Sequence, residues 1–189
     1  GGEKVLLGRG GYGNSHLYVS EPNYTGGASL PFTASPWQLQ NYAAARFGNR
    51  LYIAGCNDGG AHSVSATEGT NEPILLITGI STYSAGMAVD RNGNLFAASA
   101  DDNSVRRFSK AELDAAFAAR TPLAFSAGTP VVQFDVSTTL AVDEYGCVWA
   151  TGWQAVGMQV YNPRLGALFG YAPGRSNTMY RVDTFDRNG

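Results

Sequence analysis

Charged residues are scarce in this sequence. Asp, Glu, Lys and Arg together make up 15% of the 189 residues, against about a quarter in an ordinary soluble domain. The 13 basic and 15 acidic residues leave a net charge of −2, and no basic run is longer than Arg106-Arg107. Because neutralising phosphates requires clustered Lys and Arg, the sequence argues against a nucleic-acid partner.

Membrane-spanning runs and common catalytic motifs are also missing. No apolar run approaches the roughly 18 residues that a membrane span requires. The two cysteines, Cys56 and Cys147, fall at different positions of the repeat described below, so we expect free thiols. We expect the two histidines, His16 and His62, to be surface residues or hydrogen-bonded core residues rather than an acid–base pair. Since no Gly-x-Ser-x-Gly, Cys-x-x-Cys or His-Glu-x-x-His motif occurs, no catalytic residue is assigned.

Glycine and aromatic residues, by contrast, are plentiful. The chain contains 24 Gly, 10 Tyr, 9 Phe and 3 Trp. Hydrophobic residues make up 44% of the chain, which is too many for a disordered protein. A composition rich in turns and aromatics and poor in charge is typical of an all-β protein with many short strands.

One strand pattern recurs four times along the chain. Each copy begins with Leu or Val followed by an aromatic residue. The copies begin at Leu17, Leu51, Leu95 and Val148. The intervals between them are about 34, 44 and 53 residues. The longest interval contains a capping box, Ser109-Lys-Ala-Glu112, followed by apolar residues at helical spacing. A short helical insert at 109–119 therefore explains the extra length.

A tight-turn signature precedes the repeated strand. Asp90 and Asp143 each end an apolar strand, with Gly93 and Gly146 three residues later, and the pattern returns at Asp186. Asp accepts hydrogen bonds from backbone amides two residues on, and Gly permits a positive φ, so the pair predicts a β-hairpin. We assign these carboxylates to turn formation rather than to metal binding.

Repeats of about 43 residues with three or four strands have the spacing of β-propeller blades. We therefore predict an all-β protein, a single β-propeller domain or part of one over 1–189, with four-stranded antiparallel blades. The repeat units are approximately 1–40, 41–80, 81–134, 135–176 and an incomplete 177–189. The chain holds about four blades and the start of a fifth. We expect a fragment of a six- to eight-bladed propeller, whose remaining blades come from the same or another chain.

Gly86–Phe108 resembles an NHL-type repeat, and Thr139–Asn162 resembles a second one. The residues that carry the first resemblance are Ala88-Val-Asp90, Gly93-Asn-Leu-Phe-Ala97 and Asn103-Ser-Val-Arg-Arg-Phe108. Propellers of the gluconolactonase and regucalcin type (SMP type) and of the virginiamycin-lyase type share this pattern. The resemblance implies a propeller fold, and these families include binding modules, lactonases and lyases. The unit at 41–80 departs from the pattern, with Arg46 and Asn49 in place of Asp and Gly.

The resemblance also implies where ligands bind. In such propellers the loops between the second and third strands of each blade lie on the ligand-binding face, opposite the Asp-x-x-Gly turns. The candidate ligand-binding residues in these loops are Glu21, Asn57, Asp58, Asp101, Asp102, Asn103, Trp153 and Gln154. Ca²⁺ requires six to eight oxygen ligands, so one loop alone is insufficient. Glu21, Asn57 and Asp101 are the candidate calcium ligands around the axis.

We predict an extracytoplasmic β-propeller that acts as a binding or structural module. It would present the loops of one face to a protein, a glycan or a small-molecule ligand. The clear repeat and the lack of catalytic motifs support this function, and the low charge favours an extracellular or periplasmic location. The alternative is a calcium-assisted lactonase or lyase with its site on the propeller axis. No cofactor other than this Ca²⁺ is predicted.

Overall fold

The computed structural model shows an all-β chain with one α-helix. The structure describes residues 5–9, 16–20, 27–29, 40–56, 62–69, 71–80, 86–99, 102–133, 137–152 and 158–171. The strands within these ranges form four sheets that follow one another along the chain. Together the sheets form a partial β-propeller, which confirms the predicted fold class.

The first two sheets are meanders of antiparallel strands. The first contains β1 (Val5–Arg9), β2 (His16–Ser20) and β3 (Gly27–Ser29). The second contains β4 (Gln40–Phe47), β5 (Arg50–Cys56), β6 (His62–Glu68) and β7 (Ile74–Ile80). Consecutive strands lie next to each other in both sheets, which is the topology of a propeller blade.

The third sheet is interrupted by the helical insert. It contains β8 (Met87–Val89), β9 (Leu95–Ser99) and β10 (Ser104–Phe108), and it is completed by a later strand. The intervening segment forms α1 (Lys110–Ala119), β11 (Leu123–Ala124) and a 3₁₀ turn at Phe125–Ala127, before β12 (Thr129–Gln133). β12 pairs antiparallel with β10, whereas β11 joins the second sheet parallel to β7. The insert therefore links the second and third sheets.

The fourth sheet repeats the antiparallel meander without an insert. It contains β13 (Ser137–Val142), β14 (Val148–Gly152), β15 (Met158–Asn162) and β16 (Ala167–Tyr171). Its first two strands are joined by the predicted turn at Asp143. The same turn joins β8 to β9 at Asp90, so the two sheets present these turns at corresponding ends.

The hydrophobic core lies between neighbouring sheets. β9 is buried along its whole length, and its side chains alternate between two clusters. Leu95 and Ala97 pack in a cluster with the second sheet and α1, whereas Phe96 and Ala98 pack with the fourth sheet. Because successive strand residues point to opposite faces, this alternation shows that the third sheet is covered on both faces. Such two-sided burial is what stacked propeller blades require.

The Asp turns are built as predicted. Asp90 Oδ1 accepts hydrogen bonds from the backbone amides of Asn92 (2.8 Å) and Asn94 (2.9 Å). Its Oδ2 accepts one from the Asn94 side chain at 2.8 Å. Asp143 repeats the arrangement, with Oδ1 bonded to two turn amides and Oδ2 to the Trp149 indole at 2.9 Å. Both carboxylates are therefore engaged within their own sheets.

The helical insert begins with the predicted capping box. The Ser109 side chain accepts from the Glu112 amide (3.3 Å), and the Glu112 carboxylate accepts from the Ser109 amide (2.8 Å). The Ser109 hydroxyl also donates to the Glu112 carboxylate at 2.6 Å, and this bond and the one from the Ser109 amide lower the pKa of Glu112. The helix ends at Arg120, whose φ of +53° lies in the left-handed region. No helix in the described ranges combines the length and apolar character of a membrane span.

Arg50, the first residue of β5, fixes the helix to the second sheet. Its Nη1 donates to Asp114 of α1 at 2.6 Å, and its Nε and Nη2 donate to Glu68 at 3.0 and 2.9 Å. The guanidinium also lies 4.2 Å from the centre of the Phe117 ring. Burial acts to lower the pKa of Arg50, but the interactions with Asp114, Glu68 and Tyr52 together outweigh burial, so the pKa is raised. The insert is thus held against the second sheet by the Arg50–Asp114 ion pair and by the cation–π contact with Phe117.

Candidate functional site

The predicted ligand-binding loops are described only in the third sheet. Glu21, Asn57, Asp58, Asp101, Trp153 and Gln154 lie outside the described residues. Asp102 and Asn103 are described, and both are exposed in the turn between β9 and β10. This turn is at the end of the sheet opposite the Asp90 turn. Their assignment to ligand binding remains a prediction.

Arg106 holds Asp102 in this turn. The Arg106 Nε lies 3.3 Å from Asp102 Oδ2 without forming an aligned hydrogen bond, so the contact is an ion pair. Its Nη1 donates to the backbone carbonyls of Ser126 (3.1 Å) and Gly128 (2.9 Å). The guanidinium carbon lies 5.5 Å from the centre of the Phe125 ring. The turn is therefore connected to the segment that leads into β12, and its position is set by contacts beyond the hairpin.

Asn103 adopts a left-handed backbone conformation with φ of +47°. Asn enters this region more readily than most residues because its short side chain can bond locally. Asn103 thus provides, in the β9–β10 turn, the positive φ that glycine provides in the Asp90 and Asp143 turns. Together with the Arg106 contacts, this conformation fixes the turn that carries the described part of the predicted site.

Polar side chains are buried directly beneath this turn. Ser99 ends β9 and Ser104 begins β10, and they are 2% and 5% exposed. The two residues pair across the hairpin. Strand alternation places both on the face that packs against the second sheet, because Leu95, Ala97 and Phe108 belong to that cluster. The loop end of this interface is therefore polar, although the rest of it is apolar.

His62 enters the same end of the interface from the second sheet. It begins β6 and is 6% exposed. Regular pairing with β5 puts it on the same face as Val64, which belongs to the cluster shared with the third sheet. The two sheets are oriented alike, because Gly93 in the β8–β9 turn lies against Phe47 at the end of β4. His62, Ser99 and Ser104 therefore occupy corresponding ends of facing sheets, and we call them the polar interface cluster.

Ser104 is the unusual member of the polar interface cluster. Its hydroxyl is buried and has no hydrogen-bond partner among the described residues. Buried polar groups are almost always hydrogen-bonded, so such a hydroxyl calls for an explanation. Sequence reasoning did not single out this residue. The available signal was its position, immediately after the Asp101–Asn103 segment that was predicted to bind ligand.

The described residues do not form a metal site. Within the ranges that the structure describes, no three His, Cys, Asp or Glu side chains lie together as a group of ligands. Asp102 is already paired with the cation of Arg106, which disfavours a second cation on the same carboxylate. The candidate calcium ligands Glu21, Asn57 and Asp101 fall outside these ranges.

Comparison with known proteins shows the fold. No family model and no curated protein matches the sequence. Regucalcin from Agrobacterium tumefaciens, a calcium-binding protein, is 13% identical, with 90% of this chain covering 61% of that chain at a TM-score of 0.57. A streptogramin B lyase is 9% identical, with coverages of 90% and 51% and a TM-score of 0.59. A candidate gluconolactonase is 15% identical, with coverages of 87% and 59% and a TM-score of 0.59.

These similarities confirm the fold-level resemblance to propellers of the gluconolactonase and regucalcin type. Sequence identities of 9% to 15% are too low to transfer an activity, so the likeness applies to the fold. The chain spans 51% to 61% of the length of these three structures.

Proposed function

We propose that this chain forms part of an extracytoplasmic propeller that binds a glycan or a small polar ligand at the loop end of the second and third sheets. A protein segment is the other class of ligand for the same loops. The observation that carries the proposal is the Ser104 hydroxyl, which is buried beneath the predicted loop without a hydrogen-bond partner among the described residues. A ligand hydroxyl or carbonyl entering beside Asp102 would supply that partner.

The two ends of the sheets differ in how their polar groups are used. At the Asp-turn end, both oxygens of Asp90 and of Asp143 accept hydrogen bonds from their own hairpins. At the loop end, Asp102 is held by one ion pair and its side chain is still 41% exposed. Its turn is fixed by Arg106, so a ligand would meet a positioned carboxylate. This difference supports the loop end as the binding face.

The test compares two buried serines whose hydroxyls have no described hydrogen-bond partner, one at the proposed site and one away from it. A library of oligosaccharides and small polar molecules is first screened against the protein for an increase in Tm. Affinities of the resulting ligands are then measured by calorimetry for Ser104→Ala and for the control Ser65→Ala. Ser65 is 1% exposed and its hydroxyl also has no hydrogen-bond partner among the described residues, but it lies on the opposite face of β6 from Val64.

We expect Ser104→Ala to raise the Kd about 3- to 10-fold, which is the effect of one lost hydrogen bond. Ser65→Ala should leave the Kd unchanged within about twofold. Neither variant should lower the Tm, since each removes a buried hydroxyl without a described partner. Equal affinities for the two variants would contradict the proposed site.

A calcium-assisted lactonase or lyase is the alternative function. It is supported by the fold shared with a calcium-binding regucalcin, a candidate gluconolactonase and a streptogramin B lyase. Titration calorimetry with CaCl₂ separates the two functions. The alternative would be favoured if the protein binds Ca²⁺ tightly, Asp101→Ala abolishes this binding, and the control Asn92→Ala in the Asp90 turn preserves it. The metal-free proposal predicts that Asp101→Ala leaves the calcium titration unchanged.

A further inference from the structure

A groove lies at the Asp-turn end of the sheets, away from the proposed ligand-binding loops. This groove, of about 410 Å³, runs between the third and fourth sheets. Three arginines line it: Arg91 from the β8–β9 turn, Arg107 from β10 and Arg164 from the β15–β16 turn. Tyr145 and Tyr161 of the fourth sheet line it as well. The groove thus gathers cations from three separate segments of the chain.

The groove has a charge opposite to that of the chain. Its three arginines and one aspartate, Asp90, give the lining a net charge of +2, whereas the whole chain carries −2. Both Asp90 oxygens already accept hydrogen bonds from its own turn. In the described part of the chain, none of the three guanidinium groups forms an ion pair. These cations are therefore available to an acidic ligand.

Two large hydrophobic side chains are exposed in the turns of the fourth sheet. Tyr145 is 57% exposed and lines the groove, and Leu165, which follows Arg164, is 67% exposed. They are the large hydrophobic residues that the described surface leaves exposed. Protein–protein interfaces are enriched in Arg and Tyr, and exposed hydrophobic side chains favour a partner with an apolar side chain. A purely polar glycan would leave Leu165 without a complementary contact.

We propose that this groove, which we call the arginine groove, binds an acidic peptide segment of a partner protein. Acidic side chains of the segment would pair with Arg91, Arg107 and Arg164. An apolar side chain of the segment would cover Leu165 and the Tyr145 ring. The arginine groove goes beyond the proposed loop-end function and occupies the opposite end of the sheets, so either site can fail without the other.

The test measures peptide binding by fluorescence anisotropy on the protein and its variants. The probe is a labelled peptide of six glutamates around a central leucine, and the matched peptide carries lysines in place of the glutamates. The test variant combines Arg91→Gln, Arg107→Gln and Arg164→Gln. Arg120→Gln is the control, because Arg120 is exposed and lies outside the groove lining. Retained Tm values and circular dichroism spectra show that the variants fold.

We expect the acidic peptide to bind and the basic peptide not to bind. The triple variant should weaken binding by about tenfold or more, whereas Arg120→Gln should change the Kd by less than about twofold. In a separate variant, Leu165→Ser should weaken binding of the acidic peptide with the central leucine. The same variant should not change the affinity for a peptide made only of glutamates. The proposal is overturned if the folded triple variant binds as tightly as the original protein. It is also overturned if a trimer of galacturonic acid binds the groove more tightly than the peptide.

Discussion

Gly93→Ala should destabilise the protein through two separate effects. Gly93 has a φ of +83° in the β8–β9 turn, where an alanine costs about 1–2 kcal/mol of unfolding free energy. A Cβ atom at this position would also lie 2.7 Å from Cε1 of Phe47, which is far inside van der Waals contact. Displacing a packed ring costs about 1–3 kcal/mol more. The expected total loss is therefore about 2–5 kcal/mol.

Gly146→Ala provides the matched control for this change. Gly146 occupies the same turn position in the fourth sheet with a φ of +81°, but an added Cβ would meet nothing closer than Pro163 at 3.8 Å. Its substitution should therefore cost only the backbone term of about 1–2 kcal/mol. Urea denaturation followed by circular dichroism measures both losses.

The contact between sheets can be isolated by combining Gly93→Ala with Phe47→Ala. Once the ring is removed, the clash disappears, so Gly93→Ala in this background should cost no more than Gly146→Ala. The coupling between the two positions measures the ring contact directly. Equal losses for Gly93→Ala and Gly146→Ala in the original protein would refute the packing of the second sheet against the third.

Three further predictions concern the insert and the turns. Arg50→Met should lower the unfolding free energy by about 1–2 kcal/mol, because it removes two half-exposed ion pairs and the Phe117 ring contact; Lys110→Met should change it by less than about 0.5 kcal/mol in the same urea assay. The hydrogen bond from Lys110 lowers the pKa of Asp114 below 3.8. Partial burial raises this pKa, and Arg50 lowers it. Its stabilisation is therefore complete above pH 3.8 and is lost as the pH falls through the lowered pKa, so Asp114→Asn should flatten the acid limb of a Tm–pH profile. Asp143→Ala should cost about 1–3 kcal/mol by thermal unfolding, because two turn amides and an indole lose their acceptor.

The features predicted correctly from the sequence are local ones. Asp90 and Gly93 form a turn through contacts that span four residues, so the residues themselves report the structure. The capping box at Ser109 and Glu112 is equally local. The repeat of these short signals at blade spacing was sufficient to predict a propeller.

The candidate sites depend on contacts between distant segments, which no local pattern reports. Ser104 is buried because two sheets pack at its end of β10, and nothing in its sequence neighbourhood distinguishes it from an exposed turn serine. The arginine groove joins Arg91, Arg107 and Arg164 only because the third and fourth sheets stack. Asp102 was predicted to bind ligand, and its ion pair with Arg106 emerged only from the folded hairpin.

The most direct test of the proposed loop-end site is an amide NMR titration with a ligand from the thermal screen. We predict that the largest shift changes occur at the amides of His62, Ser99 and Ser104 and in the Asp102–Asn103 turn. The amides of the Asp90 and Asp143 turns, at the other end of the sheets, should not move. Shift changes confined to the Asp turns, with none at Ser104, would contradict the proposed site.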